Sequence, residues 1–579
     1  MSTITSNTWV PTGNDYVIDG LWGRLGVQEN FGETYVSGAT NGLAVKDAGD
    51  KVFLYAGSVN GGIHLRIYDK ATDSWGDSWE WISKPGSGYL GSQAIGALSI
   101  SDNGKYLAVG QGNPSNGQRV AALSQGLQIG SILDDGSIEW LPIENTELAK
   151  LQGQNILSLA WYEDSLLATS WNGDFIIATT SADGIGFVEP RPFGVIPYLS
   201  RGGDYIVVSI HNANRSAISM GGPSEGLNTL IGDKYDALLQ ELVSEGNLIN
   251  RVAVHDQLID GALIAFAGAF RYKEKENQFI SAIARLRIDP VTRELLDYSI
   301  FEVNKGDIGT DQAGNLKSYG NFSFAVDPHD PTANSILAGG NHFLKANPMA
   351  PTTSGGLVRV DFSGVNPVIS ETFYGPKIDT TNNELVIPFS PGQPHADSRT
   401  IVFYDSATGP RLIQSDDGGV WELQLDGSAQ GSKPASDAWW ESLTTEGLNT
   451  LEMNVGAWNA ATNSIAAAYQ DNAASLGYFG DDHATNFWVA DGTIALFDDG
   501  ANQGEYIGYL GHYDYITRGT LVAQTYNEQG YIVGRKDSAF YVQRTAEASP
   551  IPWSWNQAEQ AAQVEYKNIS KRDSIFSVP

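Results

Sequence analysis

A single pattern recurs along most of the chain: an alternating apolar run, a glycine-rich turn, a second apolar run and a strand that carries tryptophan. Residues 51–81 and 95–141 show it first. Further copies run over 155–180, 205–230, 251–300, 322–373, 399–440, 454–490 and 492–542. Each copy has the length of a small sheet, which cannot bury both faces alone, so successive sheets must pack on one another. The sequence therefore predicts an all-β fold, a single large β-propeller of about seven to ten four-stranded blades.

The amino-acid composition agrees with this prediction. The 579 residues include 65 Gly, 15 Trp and 25 Tyr, as expected of many short strands joined by tight turns. A pair of β-sandwiches is the competing architecture, but it does not explain a short apolar phrase ending in glycine at 54–57, 107–110 and 336–339. We therefore expect one propeller domain over 1–579 with loop insertions.

Helical patterns are scarce. Tyr235–Glu245 places Leu238, Leu239 and Leu242 on one face, which predicts a short helix packed on a blade edge. Residues 557–566 are a second, weaker helical candidate.

Charge narrows the classes of partner. A formal net charge of −32 opposes binding to nucleic acid or to an anionic membrane surface. No stretch approaches the roughly 20 apolar residues of a membrane span, and the first residues show no cleavable signal. We expect a soluble protein, cytoplasmic or exported by a non-classical route, that acts on a small molecule. The oligomeric state stays open.

The residues available for metal or nucleophilic chemistry are few. The absence of cysteine excludes disulfides, thiolate catalysis and cysteine-type zinc sites. The eight histidines show no metal-ligand spacing, and neither a Gly-x-Ser-x-Gly elbow nor a P-loop is present. The sequence therefore predicts no transition-metal site. Loop carboxylates leave calcium open, namely Asp379, Asp416, Asp417, Asp481 and Asp482.

One group of candidate site residues lies at a predicted strand start. His395, Asp397 and Arg399 alternate, so they point the same way in an extended strand and predict a polar cluster at a central funnel. The alternative is an Asp-Arg pair that locks neighbouring blades together, with His395 bonded to a carbonyl group.

Two further groups lie in predicted loops. Tyr469, Asp471 and Asn472 follow a strand of small residues, and the alternative for them is an Asx-type turn. Arg119 ends the polar loop 110–119, where it is either a functional residue or a solvated side chain.

Several phrases resemble known propeller families. Residues 415–421 (SDDGGVW) resemble the Asp-box of sialidase-type propellers, although the residue usually found before Trp is missing. Residues 324–340 are similar to a phrase of sortilin-like and xyloglucanase-like propellers, and 56–63 and 469–472 fit the same superfamily. Because Asp-boxes are structural, this resemblance implies a scaffold role for Asp416, Asp417 and Trp421.

The resemblance also bears on activity. Sialidases need an arginine triad and an early Arg-Ile-Pro phrase, which Glu189–Pro192 does not match. Xyloglucanase-like hydrolases use two carboxylates between two propellers, and this chain is predicted to form one. The cyanobacterial branch that makes cylindrocyclophanes alkylates phenols or carboxylates with secondary alkyl chlorides. An Arg and a Tyr of that family receive the chloride, and an acid activates the nucleophile.

We therefore predict an alkylating enzyme with its pocket in the propeller funnel. By residue type and loop location, the resemblance implies catalytic roles for Arg119 or Arg24, Tyr469, Asp397 and His395. It implies binding roles for Arg399, Asp471 and Asn472. A non-catalytic glycan- or protein-binding propeller is the first alternative, and a xyloglucanase-like glycoside hydrolase is the second.

Overall fold

The structure is a computed structural model of the chain. It describes residues 16–18, 35–112, 126–142, 153–162, 165–170, 174–181, 184–192, 195–212, 215–221, 228–242, 248–273, 278–303, 322–340, 357–373, 394, 397–428, 433–435, 440–448, 450–459, 464–469, 474–478, 483–486, 494–498, 506–512, 515–521, 525–526, 532–534 and 540–544. The chain divides into two compact units. The larger unit comprises residues 1–10 and 39–450, and the smaller comprises 11–38 and 451–579.

The larger unit contains seven antiparallel sheets among its described residues, numbered here in chain order. Sheet 1 has strands Thr40–Asp47, Lys51–Ser58, Ile63–Asp69, Ser74–Trp75 and Glu80–Trp81. Sheet 2 has Ile95–Ile100, Tyr106–Gln111, Leu127–Ile132 and Ile138–Trp140. Sheet 3 has Ile156–Tyr162, Ser165–Ser170, Asp174–Ser181 and Gly184–Pro192. Sheet 4 has Val195–Gly202, Tyr205–Asn212, Arg215–Gly221 and Asn228–Thr229.

The other three sheets are built in the same way. Sheet 5 has strands Leu248–Val254, Leu263–Lys273, Gln278–Ile288 and Leu295–Val303. Sheet 6 has Ser323–Ala325, Ser335–Gly339, Leu357–Asp361 and Val368–Phe373. Sheet 7 has Thr400–Ser406, Gly409–Asp416, Gly419–Gln424 and Glu441–Ser442.

The seven sheets form a closed ring. The first strand of each sheet contacts the first strand of the next, and the first strand of sheet 7 contacts that of sheet 1. We call the interface between sheets 1 and 7 the closing seam. Radial repetition of small antiparallel sheets is the β-propeller architecture, so the predicted all-β propeller is confirmed and the pair of sandwiches is excluded for this unit.

The predicted number of blades needs correction. Among the larger unit's described residues, six sheets are four-stranded and sheet 1 has five strands. Six four-stranded blades are fewer than the predicted seven to ten. Of the nine copies of the sequence pattern, the last two, 454–490 and 492–542, belong to the smaller unit, and the first, 51–81, falls in the five-stranded sheet 1. The extent of a single domain over 1–579 stays a prediction.

The smaller unit contributes three sheets from its described residues. A six-stranded sheet has the order Tyr35–Val36, Tyr16–Ile18, His483–Asn486, Ala474–Tyr478, Ser464–Tyr469 and Met453–Asn459. A four-stranded sheet has the order Ile494–Asp498, Tyr506–His512, Tyr515–Leu521 and Phe540–Arg544, and Thr525–Tyr526 pairs with Ile532–Gly534.

One α-helix occurs in the described part of the chain, at Asp233–Leu242, and it overlaps the predicted helix. Tyr235, Leu238 and Leu242 are buried against sheets 4 and 5, and the Ile218 N–H donates to the Tyr235 hydroxyl at 2.7 Å. The second helical candidate, 557–566, lies outside the described residues. No helix among the residues that the structure describes has the length and apolar character needed to cross a membrane.

The repeated apolar motif ends in glycine for a steric reason. A Cβ added to Gly57 would lie 2.5 Å from Ile95 Cγ2, and one added to Gly110 would lie 2.6 Å from Ile156 Cγ2. Gly268 meets a ring carbon of Phe322 at 2.6 Å in the same way. In each case the glycine lies on the second strand of one sheet and lets the inner edge of the next sheet approach closely.

Candidate functional site

A cavity of about 420 Å³ lies where the seven inner strands meet. Every sheet of the larger unit contributes to its wall, which places the cavity on the axis of the ring, and we call it the channel. The volume is in the range of pockets that hold small molecules. The lining mixes apolar side chains with polar groups such as Asn41, Ser158 and Ser200.

A β-bulge recurs at the start of the inner strands. In sheets 1 to 5 the pairing of the first strand with the second shifts near the same point. The first residue after the shift lines the channel in all five sheets: Gly42, Ala97, Ser158, Tyr198 and Arg251. Because a bulge twists a strand and re-aims its side chains, it makes this position a repeated point of access to the channel.

The five positions are not chemically equivalent. Sheets 1 to 3 place Gly42, Ala97 and Ser158 there, whereas sheets 4 and 5 place Tyr198 and Arg251 side by side. The Arg251 guanidinium carbon lies 4.1 Å from the centre of the Tyr198 ring, which is cation–π geometry. Tyr198 is buried and Arg251 is half-buried, so the pair forms one fixed cationic wall of the channel.

The remaining charged lining groups are few. His255 is buried, with Nε2 at 3.1 Å from the Asp330 carbonyl oxygen and Nδ1 at 3.2 Å from the Gln257 backbone nitrogen. Among the lining residues that the structure describes, Asp256 is the one carboxylate. Arg399 is the second arginine of the wall.

Arg399, a predicted binding residue, lines the channel but is held by protein groups. Its guanidinium forms a buried ion pair with Asp417, and Nη1 donates to Asn41 Oδ1 at 2.8 Å. Asn41 belongs to sheet 1 and Asp417 to the turn of sheet 7, so Arg399 ties the two sheets at the channel edge. The contact between sheets is to Asn41, whereas the Arg399–Asp417 ion pair lies within sheet 7, so the alternative of an Asp-Arg pair that locks neighbouring blades stays a prediction.

The hairpin turn at 415–421 has the hydrogen bonds that a scaffold role requires. Asp416 Oδ1 accepts from the Gly418 N–H at 2.8 Å and from Trp421 Nε1 at 3.0 Å, and Trp421 is fully buried. Burial raises the pKa of Asp416 well above its ordinary value, and these two donors oppose that shift. The interpretation of 415–421 as an Asp-box stays a prediction.

These bonds also bear on the calcium option. The carboxylates of Asp416 and Asp417 face a tryptophan and an arginine, respectively, whereas Asp379, Asp481 and Asp482 lie outside the described residues. In the part of the chain that the structure describes, no group of three or more metal-ligating side chains is arranged around a common point.

Asp397, the predicted acid, lies in a strained turn. Its φ of 69° is in the left-handed region, which aspartate tolerates better than most residues, and its backbone N–H donates to the Gly340 carbonyl at 3.2 Å. Its Oδ1 is buried without a hydrogen-bond partner among the described residues. Asp397 is not part of the channel lining, whereas Arg399, two residues later, is.

Of the other predicted site residues, the structure describes Tyr469. Tyr469 ends a strand of the smaller unit and is buried. Outside the described residues lie Arg24, Arg119, His395, Asp471 and Asn472. Their predicted roles stay predictions.

Sequence reasoning missed Tyr198 and Arg251. A signal was present, because aligning the starts of the repeated strands places a small residue at this position in three copies and a large one in two. The bulge hides that alignment, since it adds one or two unpaired residues before the position.

Comparison with known proteins leaves the fold assignment resting on the structure described above. No protein-family model matches the chain, and no curated protein matches it. Among solved structures, the chain is similar to the Dos1 propeller, with 13% identity and a TM-score of 0.28 over 82% of this chain and 90% of that one. It is also similar to the dihydro-heme d1 dehydrogenase NirN in complex with DHE, with 13% identity and a TM-score of 0.37 over 70% of this chain and 67% of that one. Similarities this low say nothing about a ligand or a reaction.

Proposed function

We propose that the larger unit binds a small organic anion in its channel, with the Arg251 guanidinium as the anchor. The proposal rests on the change in residue type, from sheet to sheet, at the position that follows the bulge. Three sheets leave the post-bulge position small, and two adjacent sheets fill it with a stacked Tyr198–Arg251 pair. The small positions leave room for a ligand, and the pair supplies a cation in a fixed place.

The charge of the whole protein does not oppose this site. The net charge is −32, but surface charges are screened beyond roughly 8–10 Å at physiological ionic strength. The electrostatic potential inside the channel is therefore set by the charged groups of its own wall. Among the described lining residues these are Arg251, Arg399 and one carboxylate, Asp256. Asp417 neutralises Arg399, and Arg251, stacked on Tyr198 in the lining, is the cation that the wall holds in a fixed place.

Calorimetric titration at neutral pH tests the proposal, with octanoate, benzoate and resorcinol as probes. A hydrogen bond to a charged group contributes about 1.5–3 kcal/mol, so Arg251→Met should weaken binding of the two carboxylates about 10- to 150-fold. Resorcinol, which is neutral, should lose much less. Arg251→Lys should keep part of the affinity, because it keeps the charge without the planar fork.

Arg201 provides a matched control. It lies 5.1 Å from the Tyr162 ring, in a second Arg–Tyr pair of the larger unit that does not line the channel. Arg201→Met should leave carboxylate affinity unchanged. Ala97→Trp, which fills the channel, should abolish binding of all three probes. Carboxylate binding that survives both Arg251→Met and Ala97→Trp would place the anion elsewhere and defeat the proposal.

Alkylation is the second candidate, and the same pair favours it. When an acceptor oxygen or ring carbon attacks the carbon of a C–Cl bond, chloride leaves with the bonding electrons and the acceptor's proton passes to a base. A half-buried guanidinium beside a phenol ring stabilises developing halide charge. Arg251 and Tyr198 offer these groups within the channel, and the base predicted from the sequence, Asp397, lies two residues before the lining residue Arg399.

Incubation with a secondary alkyl chloride and resorcinol or a carboxylate tests this candidate. Mass spectrometry should show the coupled product, chloride should appear in equal amount, and Arg251→Met should reduce both. Anion binding without any turnover would leave the binding function and reject alkylation.

Glycoside hydrolysis and binding at an outer face receive less support. Glycoside hydrolysis needs two carboxylates flanking one bond, whereas the described channel wall contains one, Asp256. No feature of the larger unit's described residues supports binding of a glycan or a protein to an outer face.

A further inference from the structure

The closing seam has an apolar core and a polar layer beside it. In the core, Leu54 and Ala56 of sheet 1 pack with Ile413 and Val420 of sheet 7. Ala56 is paired with His64 on the neighbouring strand. Because directly paired residues of a sheet share a face, His64 also faces sheet 7.

His64 has an unusual environment for a histidine. Its side chain is 0% exposed, and neither ring nitrogen has a hydrogen-bond partner among the described residues. Burial lowers the pKa of His64 to about 3, so the ring is neutral at neutral pH. Burying an imidazolium here without a partner would be costly.

The closing seam contains further polar and charged groups besides His64. The hydroxyls of Thr40 and Ser415, on the facing surfaces of sheets 1 and 7, are also buried without a partner in the described residues. Among the described residues, the charged or titratable groups of the seam are Arg66, Tyr68, Asp73 and the exposed Asp77 on the side of sheet 1, and Arg399, Tyr404, Arg411, Asp417, Glu422 and Glu441 on the side of sheet 7.

Each buried carboxylate of this set already has a partner. Glu422 accepts from Arg411 Nη1 at 2.8 Å and from Trp75 Nε1 at 2.9 Å, and Asp417 is paired with Arg399. Glu441 is exposed. On the strand of His64 itself, the neighbouring charge on the same face is Arg66, which would repel an imidazolium.

The seam also forms one side of the channel. Asn41 of sheet 1 and Arg399 and Thr400 of sheet 7 line the cavity, and Thr400 Oγ1 donates to the Asn41 carbonyl at 2.5 Å. Separation of the two sheets would therefore open the channel along its length.

We propose that the closing seam is an acid-sensitive closure: protonation of His64 separates sheet 1 from sheet 7 and opens the side of the channel. The opening itself is independent of any ligand. Release of a channel-bound anion on acidification is its consequence and rests on the proposed function.

Thiol labelling tests the opening directly, because the chain has no cysteine. Thr444 is fully buried at the seam, next to Leu443, whose carbonyl accepts from Arg66 Nη1 at 2.6 Å. Thr444→Cys should react with dithiodipyridine, a reagent that works in acid, faster as the pH falls. The opening constant should rise by up to about tenfold for each pH unit below roughly 6.5, the pKa of histidine in an unfolded chain.

Matched variants separate the seam from general unfolding. Ala267→Cys lies in the apolar interface of sheets 4 and 5 and should show no such rise. In the Thr444→Cys background, His64→Phe and His64→Gln should both abolish the rise. His329→Gln, which removes a half-exposed histidine elsewhere in the unit, should not abolish it.

Two results would overturn the inference: an equal rise at Ala267→Cys, or a rise at Thr444→Cys that persists without His64. If Thr444→Cys fails to fold, Ser415→Cys reports on the same seam. Anion titration at neutral pH tests the channel separately, so failure of one proposal does not imply failure of the other.

Discussion

The closing seam and the interface between sheets 4 and 5 each hold two neighbouring sheets together, but they do so with different kinds of contact. Between sheets 4 and 5 the packing is hydrophobic, with Val207, Ile218 and Ala267 in one cluster that the helix covers through Leu238. At the seam, charged and aromatic groups cross from sheet to sheet. Among them are Arg66 and Trp79, which both donate to the Leu443 carbonyl, Trp75, which donates to Glu422, and Arg399, which donates to Asn41.

The difference follows from the chain. Sheets 4 and 5 follow one another in the chain, joined by residues 230–247, so their apolar faces meet without needing to be selective. Sheets 1 and 7 are separated by more than 300 residues, and sheet 7 must find sheet 1 of its own ring and not an apolar face elsewhere. Directional hydrogen bonds discriminate between such faces better than apolar contacts do, and we infer that they fix the closure.

Breaking the buried ion pair of the seam should have the largest effect. Arg399→Met leaves the Asp417 carboxylate buried without its cation, which should lower the free energy of unfolding by about 3–5 kcal/mol in urea denaturation. Lys70→Met removes the partner of the half-exposed Asp47 and should cost less than about 1 kcal/mol. Equal losses of unfolding free energy in the two variants would show that the buried Arg399–Asp417 pair contributes no more than an exposed ion pair.

Truncation in the apolar interface should cost somewhat less. Leu238→Ala leaves a cavity beneath the helix and should lower the free energy of unfolding by about 3 kcal/mol, within the usual range for such changes. Unlike a change at the seam, this cost should be the same at neutral pH and at about pH 4.5, because no group in the cluster titrates there. A clear pH dependence would contradict the contrast between the two regions.

The inter-sheet glycines give a steric test that needs no charge. Gly110→Ala would bring a methyl group to 2.6 Å from Ile156 Cγ2 and 2.8 Å from its Cβ, and overpacking of this kind costs about 1–3 kcal/mol. Gly76→Ala meets its nearest atom at 3.5 Å and should be nearly neutral. Thermal unfolding of the two variants would show the difference.

The smallest change, taken over a single pH unit, is in the pH dependence of stability. The folded-state pKa of His64 is lowered to about 3, so the unfolded chain binds more protons as the pH falls from about 6.5 towards 3. Wild-type stability should therefore fall by up to about 1.4 kcal/mol per pH unit over this window relative to His64→Phe. Parallel stability curves for the two proteins would show that His64 does not titrate in this way.

The fold was largely predictable because its signals are local. Alternating runs, turn glycines and phrases such as 54–57 and 107–110 report the inner part of each sheet, and their glycines are fixed by contact with the next sheet. The number of blades was not predictable, since a repeat in sequence does not say which copies share a ring. Residues 454–490 carry the same pattern as 399–440 but belong to the other unit.

The candidate site was poorly predictable for a related reason. Conspicuous polar motifs such as Asp416, Asp417 and Arg399 hold the scaffold together, whereas Tyr198 and Arg251 lie in ordinary apolar strands. What distinguishes the latter pair is its place in the ring. That place depends on the bulges and on the neighbouring sheet, and neither is visible in one strand's sequence.

The bulges also bear on how such a protein changes over generations. The residue after each bulge touches the channel while its neighbours in the strand keep the sheets packed. A substitution there changes the channel wall, but its steric cost differs between sheets, because a Cβ added to Gly42 would lie 3.0 Å from the Leu98 backbone nitrogen and 3.1 Å from its Cγ. Ala97 and Ser158 are therefore the positions where laboratory evolution of a new ligand preference should begin.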